Sequence, residues 1–154
     1  ISVVNISNAM NNDSIGFLLG DTSRLFRKAF DSHARAKGIT GLQWRLMAYL
    51  TRNQGIHQSG LADLLEVEPI TLSRMVDRLA EAGMVERRPD PQDRRTNRLY
   101  LTDKADPVIA ELRASGEVVI AQAMQGIDAD EQAVLARLVA RMRANLSCKE
   151  LVDG

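Results

Sequence analysis

Apolar residues recur at intervals of three and four along most of this chain, a spacing that predicts a helical protein. From Ser14 to about Lys37, Ile15, Leu18, Leu19, Leu25, Phe26, Ala29 and Phe30 share one helical face, and Gly38 is a natural stop. A second helix is expected from about Gly41 to Arg52, carrying Leu42, Leu46, Met47 and Leu50. Asn53-Gln54-Gly55 breaks it, and Ile56-His57 leaves room for one very short strand. Ser59 to about Glu66 then gathers Leu61, Ala62, Leu64 and Leu65 into little more than two turns. Glu68-Pro69 opens the next helix, because proline at the first helical position forfeits no hydrogen bond. Leu72, Met75, Val76 and Leu79 form its inward stripe and Gly83 closes it. Two helices joined by a turn of about three residues make a helix-turn-helix.

The pattern changes after Met84. Val85 is followed by Glu86-Arg87-Arg88, the turn-forming Pro89-Asp90-Pro91-Gln92-Asp93, and then an alternating Arg98-Leu99-Tyr100-Leu101. This reads as a β-hairpin with a long charged tip, placed as a wing directly behind the helix-turn-helix. Thr102 is the expected N-cap of the following helix, with Asp106-Pro107 as an alternative start. Val108, Ile109, Leu112, Val118 and Val119 continue an apolar face towards Met124. Gly126 ends that helix, and Asp128 with Glu131 forms a capping box for the last one. Val134, Leu135, Leu138, Val139, Met142 and Leu146 give the last helix the most regular stripe in the chain. The expected order is four helices, a hairpin and two helices.

Length and composition narrow the classes. A chain of 154 residues with 45% hydrophobic residues is one domain with a real core, not a disordered segment. Ser7-Asn8-Ala9 before Met10 reads as the scar of a cleaved expression tag, so 1–9 is set apart and 10–154 is taken as the single domain. No apolar run approaches the roughly 20 residues of a membrane helix, and no secretory signal is read. A soluble, cytoplasmic protein is expected. The single cysteine, Cys148, allows no internal disulfide framework and no multi-cysteine metal site. Lys and Arg number 20, as do Asp and Glu, so the chain does not coat nucleic acid by bulk charge. The charges are nevertheless segregated: residues 14–98 hold 14 basic and 10 acidic side chains, whereas residues 99–154 hold 6 and 9.

The segments Gln58-Ser59-Gly60-Leu61-Ala62, Leu79 to Arg87, Asp90-Pro91-Gln92-Asp93-Arg94-Arg95 and Leu99-Tyr100-Leu101-Thr102 resemble the MarR family of winged helix-turn-helix transcriptional regulators. The resemblance runs from about Ser14 to Leu146, and the wing motif is its most specific part. It departs at His57 and Gly60, where the family usually has the threonine and glutamate of a capping box. It departs again at Ala105, which stands where a glycine is common, and at Pro107. The implied fold is mainly α with a small β-hairpin wing. Residues 41–102 would be the winged helix-turn-helix, with 14–37 and 103–147 as dimerisation helices.

The residues support a DNA-reading surface. With Leu72, Val76 and Leu79 turned inward, Ile70, Thr71, Ser73, Arg74, Asp77 and Arg78 are left for solvent or a partner, and Pro69 on the same helix and Ser59 on the preceding one join the candidate DNA contacts. The N-terminal part of the second helix is the part that helix-turn-helix proteins set against base edges. Arg74 suits a bidentate contact to guanine; Thr71 and Ser73 suit phosphates or bases. The tip region carries Arg87, Arg88, Arg94, Arg95 and Arg98 against Glu86, Asp90 and Asp93. As an isolated charge run it would be a salt-bridged, solvated hairpin. The resemblance instead implies Arg94 entering a minor groove while Asp93 stiffens the turn by pairing with Arg95, or the reverse assignment of the two arginines.

The resemblance further implies a homodimeric repressor on a pseudo-palindromic duplex, released by a small, often aromatic effector. Phe26, Phe30, His33, Trp44, Arg45 and Met47 are the candidate effector residues; aromatic and Met residues at helical spacing also serve as plain core. The strongly apolar terminal helices fit either a dimer interface or an intrachain core. Thiol sensing is not expected from Cys148. Catalysis is not expected either. His33, His57 and Cys148 are scattered, and there is no phosphate loop, metal cluster or nucleophile elbow, so no cofactor or metal is implied. The competing readings are a winged-helix protein-interaction module and, less favoured, a small enzyme.

Overall fold

The computed structural model describes residues 14–147; the tag-like 1–9 and Cys148 lie outside the described residues. Helix α1 (Ile15–Ala36) is opened by Ser14, whose hydroxyl accepts the Phe17 N–H at 3.2 Å. Helix α2 (Gly41–Arg52) starts with a reciprocal cap. Thr40 Oγ1 accepts the Gln43 N–H at 3.1 Å, and the Gln43 side chain accepts the Thr40 N–H at 3.0 Å. Then follow β1 (Ile56–His57), α3 (Gln58–Leu65), α4 (Pro69–Glu81), β2 (Val85–Pro89), β3 (Asn97–Leu101), α5 (Asp106–Ala123) and α6 (Ala129–Ser147). These are the helices and strands expected from the hydrophobic spacing, with boundaries moved by a residue or two.

The turn between α3 and α4 is set by Glu66, which takes the left-handed conformation with φ 54°. No glycine occupies that position. A non-glycine residue there costs roughly 1–2 kcal/mol of local strain, so the packing on either side must hold it. Leu61, Ala62 and Leu65 from α3 and Leu72, Met75, Val76 and Leu79 from α4 supply that packing. They share one core with Leu46, Met47 and Leu50 of α2 and Leu99 of β3.

The very short strand joins the hairpin. Its three antiparallel strands lie in the order β1-β3-β2, with Ile56 opposite Leu99, Val85 opposite Leu101 and Pro89 opposite Asn97. The wing is therefore stitched to the chain just before α3 as well as to the residues just after α4. Pro89, expected in the turn, is the last residue of β2.

The expected cap at Thr102 is corrected. Its hydroxyl donates to the Gly83 carbonyl rather than capping a helix, and a single 3₁₀ turn, Asp103–Ala105, follows. The α-helix starts at Asp106, the alternative start, which puts Pro107 in the first turn where its missing N–H has no partner to lose.

The chain divides into two compact units, one ending at Gly116 and the other starting at Glu117. In the second, the last turns of α5 lead through Gly126 (φ 80°) to the expected capping box. Asp128 Oδ1 accepts the Glu131 N–H at 2.9 Å, and Glu131 accepts the Asp128 N–H at 3.0 Å. Helix α6 has no buried residue, and Val134, Leu135, Leu138, Val139, Met142 and Leu146 are all exposed in the single chain. Ile15, Phe17, Leu18 and Leu25 of α1 are likewise exposed. No helix among the described residues is long and apolar enough to cross a membrane.

Candidate nucleic-acid interface

The outward side of the helix-turn-helix carries the residues singled out from the sequence. Ser59 is exposed in the first turn of α3. Pro69, Ile70 and Thr71 are exposed in the first turn of α4, and Arg74 and Arg78 follow at helical spacing on the same exposed side. Ser73 is half-buried, and its carbonyl accepts a hydrogen bond from Arg87 at 3.2 Å. Neither Arg74 nor Arg78 has an ion pair among the described residues, so both guanidinium groups keep their donors for an incoming group.

The wing arginines divide by their partners, which corrects the picture of five cations at one tip. Arg87 lies in β2 and is turned onto the helix-turn-helix. Its Nε donates to Gln58 Oε1 at 3.1 Å, and its Nη1 sits 2.7 Å from Asp77 Oδ1. With the Ser73 carbonyl as third acceptor, it bolts the wing to α3 and α4. Arg88, also in β2, grips Glu86 through two hydrogen bonds of 3.1 and 3.2 Å and lies 4.1 Å over the Tyr100 ring. The Arg88 guanidinium holds the Glu86 carboxyl below the usual carboxylate range. Arg98, in β3, donates to Asp90 at 2.9 Å and to the Gly55 carbonyl at 3.1 Å.

That leaves Arg94 and Arg95 at the turn. Asp93 Oδ1 accepts the Arg95 N–H at 3.0 Å and lies 3.4 Å from Arg95 Nε, while the Asp93 carbonyl accepts from the Thr96 N–H and hydroxyl. Asp93 thus orders the tip. Arg94 makes no side-chain hydrogen bond or ion pair among the described residues and projects beside Pro89, Asp90 and Pro91.

Asp90, read from the sequence as a turn residue of the wing motif and one of its charges, is the anchor of the wing base. It is 3% exposed and receives three groups. His57 Nε2 and Arg98 Nε meet Oδ2, and the Gln92 N–H donates to Oδ1 at 2.8 Å. The hydrogen bond from His57, then that from the Gln92 backbone, then the nearby Arg98 charge hold its carboxyl down to about 2. The signal was present in Pro89-Asp90-Pro91. Neither flanking proline has an N–H, so the local turn relies on what the aspartate can bind. The departure at His57 has its explanation here as well. His57 precedes α3 without capping it, and its imidazole goes to the wing instead.

Of the candidate effector residues, three meet through their rings. Phe26 stacks on Phe30 with ring centroids 5.9 Å apart, and Phe30 meets Trp44 edge-on at 5.1 Å, forming one aromatic cluster. Met47 is buried in the core, and His33 is half-buried on α1. Arg45 instead lines a shallow polar depression with Arg24, Arg27, Lys28, Asp31, Ser32 and Arg35.

Comparison with known proteins agrees with this geometry. A model of the MarR family matches residues 37–96. The transcriptional regulator PA3341 is 35% identical over 87% of this chain and 98% of its own, with a TM-score of 0.74. Wild-type MarR from E. coli in its apo form is 25% identical, covering 84% of this chain and 96% of its own with a TM-score of 0.74. A MarR-family transcriptional regulator from Silicibacter pomeroyi is 27% identical, covering 84% and 88% with a TM-score of 0.73. The exposed polar side of α4, the hairpin pinned behind it and these likenesses lead to one assignment: the chain belongs to the MarR family of winged-helix transcriptional regulators.

Proposed function

We propose that the protein is a homodimeric, sequence-specific DNA-binding repressor, acting in the cytoplasm without catalysis. Residues 41–102 read the duplex, and residues 14–37 and 103–147 hold the two copies together. The observation that carries this reading is the pairing of two free surfaces on one rigid frame. Helix α4 offers Thr71, Ser73, Arg74 and Arg78, and the wing offers an unpaired Arg94 from a base pinned by Arg87, Asp90 and Arg98. In the major groove, Arg74 would take guanine O6 and N7, while Ser59, Pro69, Thr71, Ser73 and Arg78 seat the helix on phosphates and bases. Arg94 would enter the adjacent minor groove, and Arg95, held by Asp93, keeps the tip in shape.

Dimerisation is supported by the apolar stripes that α1 and α6 each leave exposed in the single chain, since patches of that kind mark association surfaces. A two-fold dimer presents its recognition helices about one DNA turn apart, roughly 34–36 Å, and so selects a pseudo-palindrome. A small aromatic effector would act by opening the Phe26–Phe30–Trp44 cluster, with Arg45, His33 and Met47 nearby in sequence as second contributors. Genomic binding-site mapping in the source organism tests the whole reading. Discrete sites with inverted half-sites are expected; uniform background occupancy would refute it.

A further inference from the structure

Apart from Pro69, Ile70 is the one exposed side chain of α4 that can neither donate nor accept a hydrogen bond. This residue is 60% exposed, while its apolar neighbours Leu72, Met75, Val76 and Leu79 all face the core. It stands in the first turn between Pro69 and Thr71, on the same exposed side as Arg74 one helical turn later. A branched side chain is stiff at its first torsion, so covering it sacrifices little rotamer freedom. Among the groups that base pairs present in the major groove, the apolar one is the 5-methyl of thymine. Positions four apart on a helix have Cβ atoms roughly 6 Å apart, and successive base pairs rise by about 3.4 Å.

From this placement we propose that Ile70 is a specificity-determining residue that covers a thymine methyl within two base pairs of the guanine bound by Arg74. The inference rests on α4 lying in the major groove, as proposed above, and adds which base the apolar corner selects.

The test starts from duplexes selected by the full-length protein out of a randomised library. Each half-site thymine is then replaced singly by deoxyuridine, which removes the methyl and keeps the pairing, and affinity is read by fluorescence anisotropy. One position per half-site is expected to lose about fourfold in affinity, the worth of one buried methyl-sized group. Ile70→Ala should abolish the sensitivity at that position alone, and Ile70→Val should retain it. Selective binding that ignores every thymine methyl would overturn this inference while leaving the DNA reading intact. So would an Ile70→Ala protein that keeps full sensitivity. Recovery of no preferred duplex would overturn the DNA reading and this inference together.

Discussion

His57, Arg98 and the Gln92 N–H converge on the carboxylate of Asp90, and that convergence makes the base of the wing sensitive to a single proton. Its folded pKa, about 2, lies below the ordinary 3.8, so its contribution to stability is fully present above about pH 4. That contribution is lost as pH falls from about 4 through 2. Thermal melts should therefore show Asp90→Asn less stable than wild type at pH 6, with the gap closing below pH 4. A gap independent of pH would mean that the carboxylate is not the anchor. The arginines divide in the same manner. Arg94→Ala should weaken binding to a selected duplex about tenfold and lower the salt slope by about one, with the dimer intact by sedimentation. Arg95→Ala should act more mildly, through the tip that Asp93 orders, and unchanged affinity in both singles and the double variant would sink the wing's role. Arg74→Ala should instead relax base preference at one position, read in a randomised-site selection, by about 1–3 kcal/mol.

At the scale of elements, α3 is the weakly specified piece. It has eight residues, no side-chain cap at His57 and a glycine within its first turns. An added Cβ at Gly60 would meet the Ile56 side chain at 3.4 and 3.5 Å, ordinary contact with a movable group. Gly60→Ala should therefore raise stability by about 0.5–1 kcal/mol in chemical denaturation, and a loss of stability would show the site to be overfilled. The helix persists without these local aids because its start is held elsewhere. β1 pairs with β3 at its start, and Gln58 accepts from Arg87 across to the wing. Gly60 and His57 were visible in the sequence as departures from a capping box. What His57 does instead was not, because its partner Asp90 lies 33 residues away and only the sheet brings the two together.

At the scale of the whole molecule, the exposed apolar stripe of α6 needs a cover. If it is a second copy, Leu138→Lys should shift the sedimenting species from dimer to monomer and cost most of the affinity for a two-half-site duplex, while a single half-site duplex binds as before. A Leu138→Lys protein that still sediments as wild type would place the interface elsewhere. The net charge of zero now has a spatial meaning. Most cations of the wing are neutralised by Asp77, Glu86, Asp90 and Asp93, leaving a small set of guanidinium groups, Arg74, Arg78 and Arg94, unpaired at the reading surface among the described residues. Such a protein should depend on a few placed contacts rather than on a sheath of positive charge.

Sequence by itself determined the helices, the hairpin and their order, because periods of 3.6 and 2 and the stops at Gly38, Gly83 and Gly126 are local properties. It also determined which side of α4 stays outside, since Leu72, Val76 and Leu79 leave no other choice. Tertiary structure decided the roles of individual charges. Arg87, Arg88, Arg94, Arg95 and Arg98 are the same residue type within a dozen positions, and nothing local separates them. Strand register and the approach of β2 to α4 turn Arg87 onto Gln58 and Asp77, and Arg98 onto Asp90, while the turn leaves Arg94 free. An ion pair is a relation between two places in space, and only the fold assigns the second place.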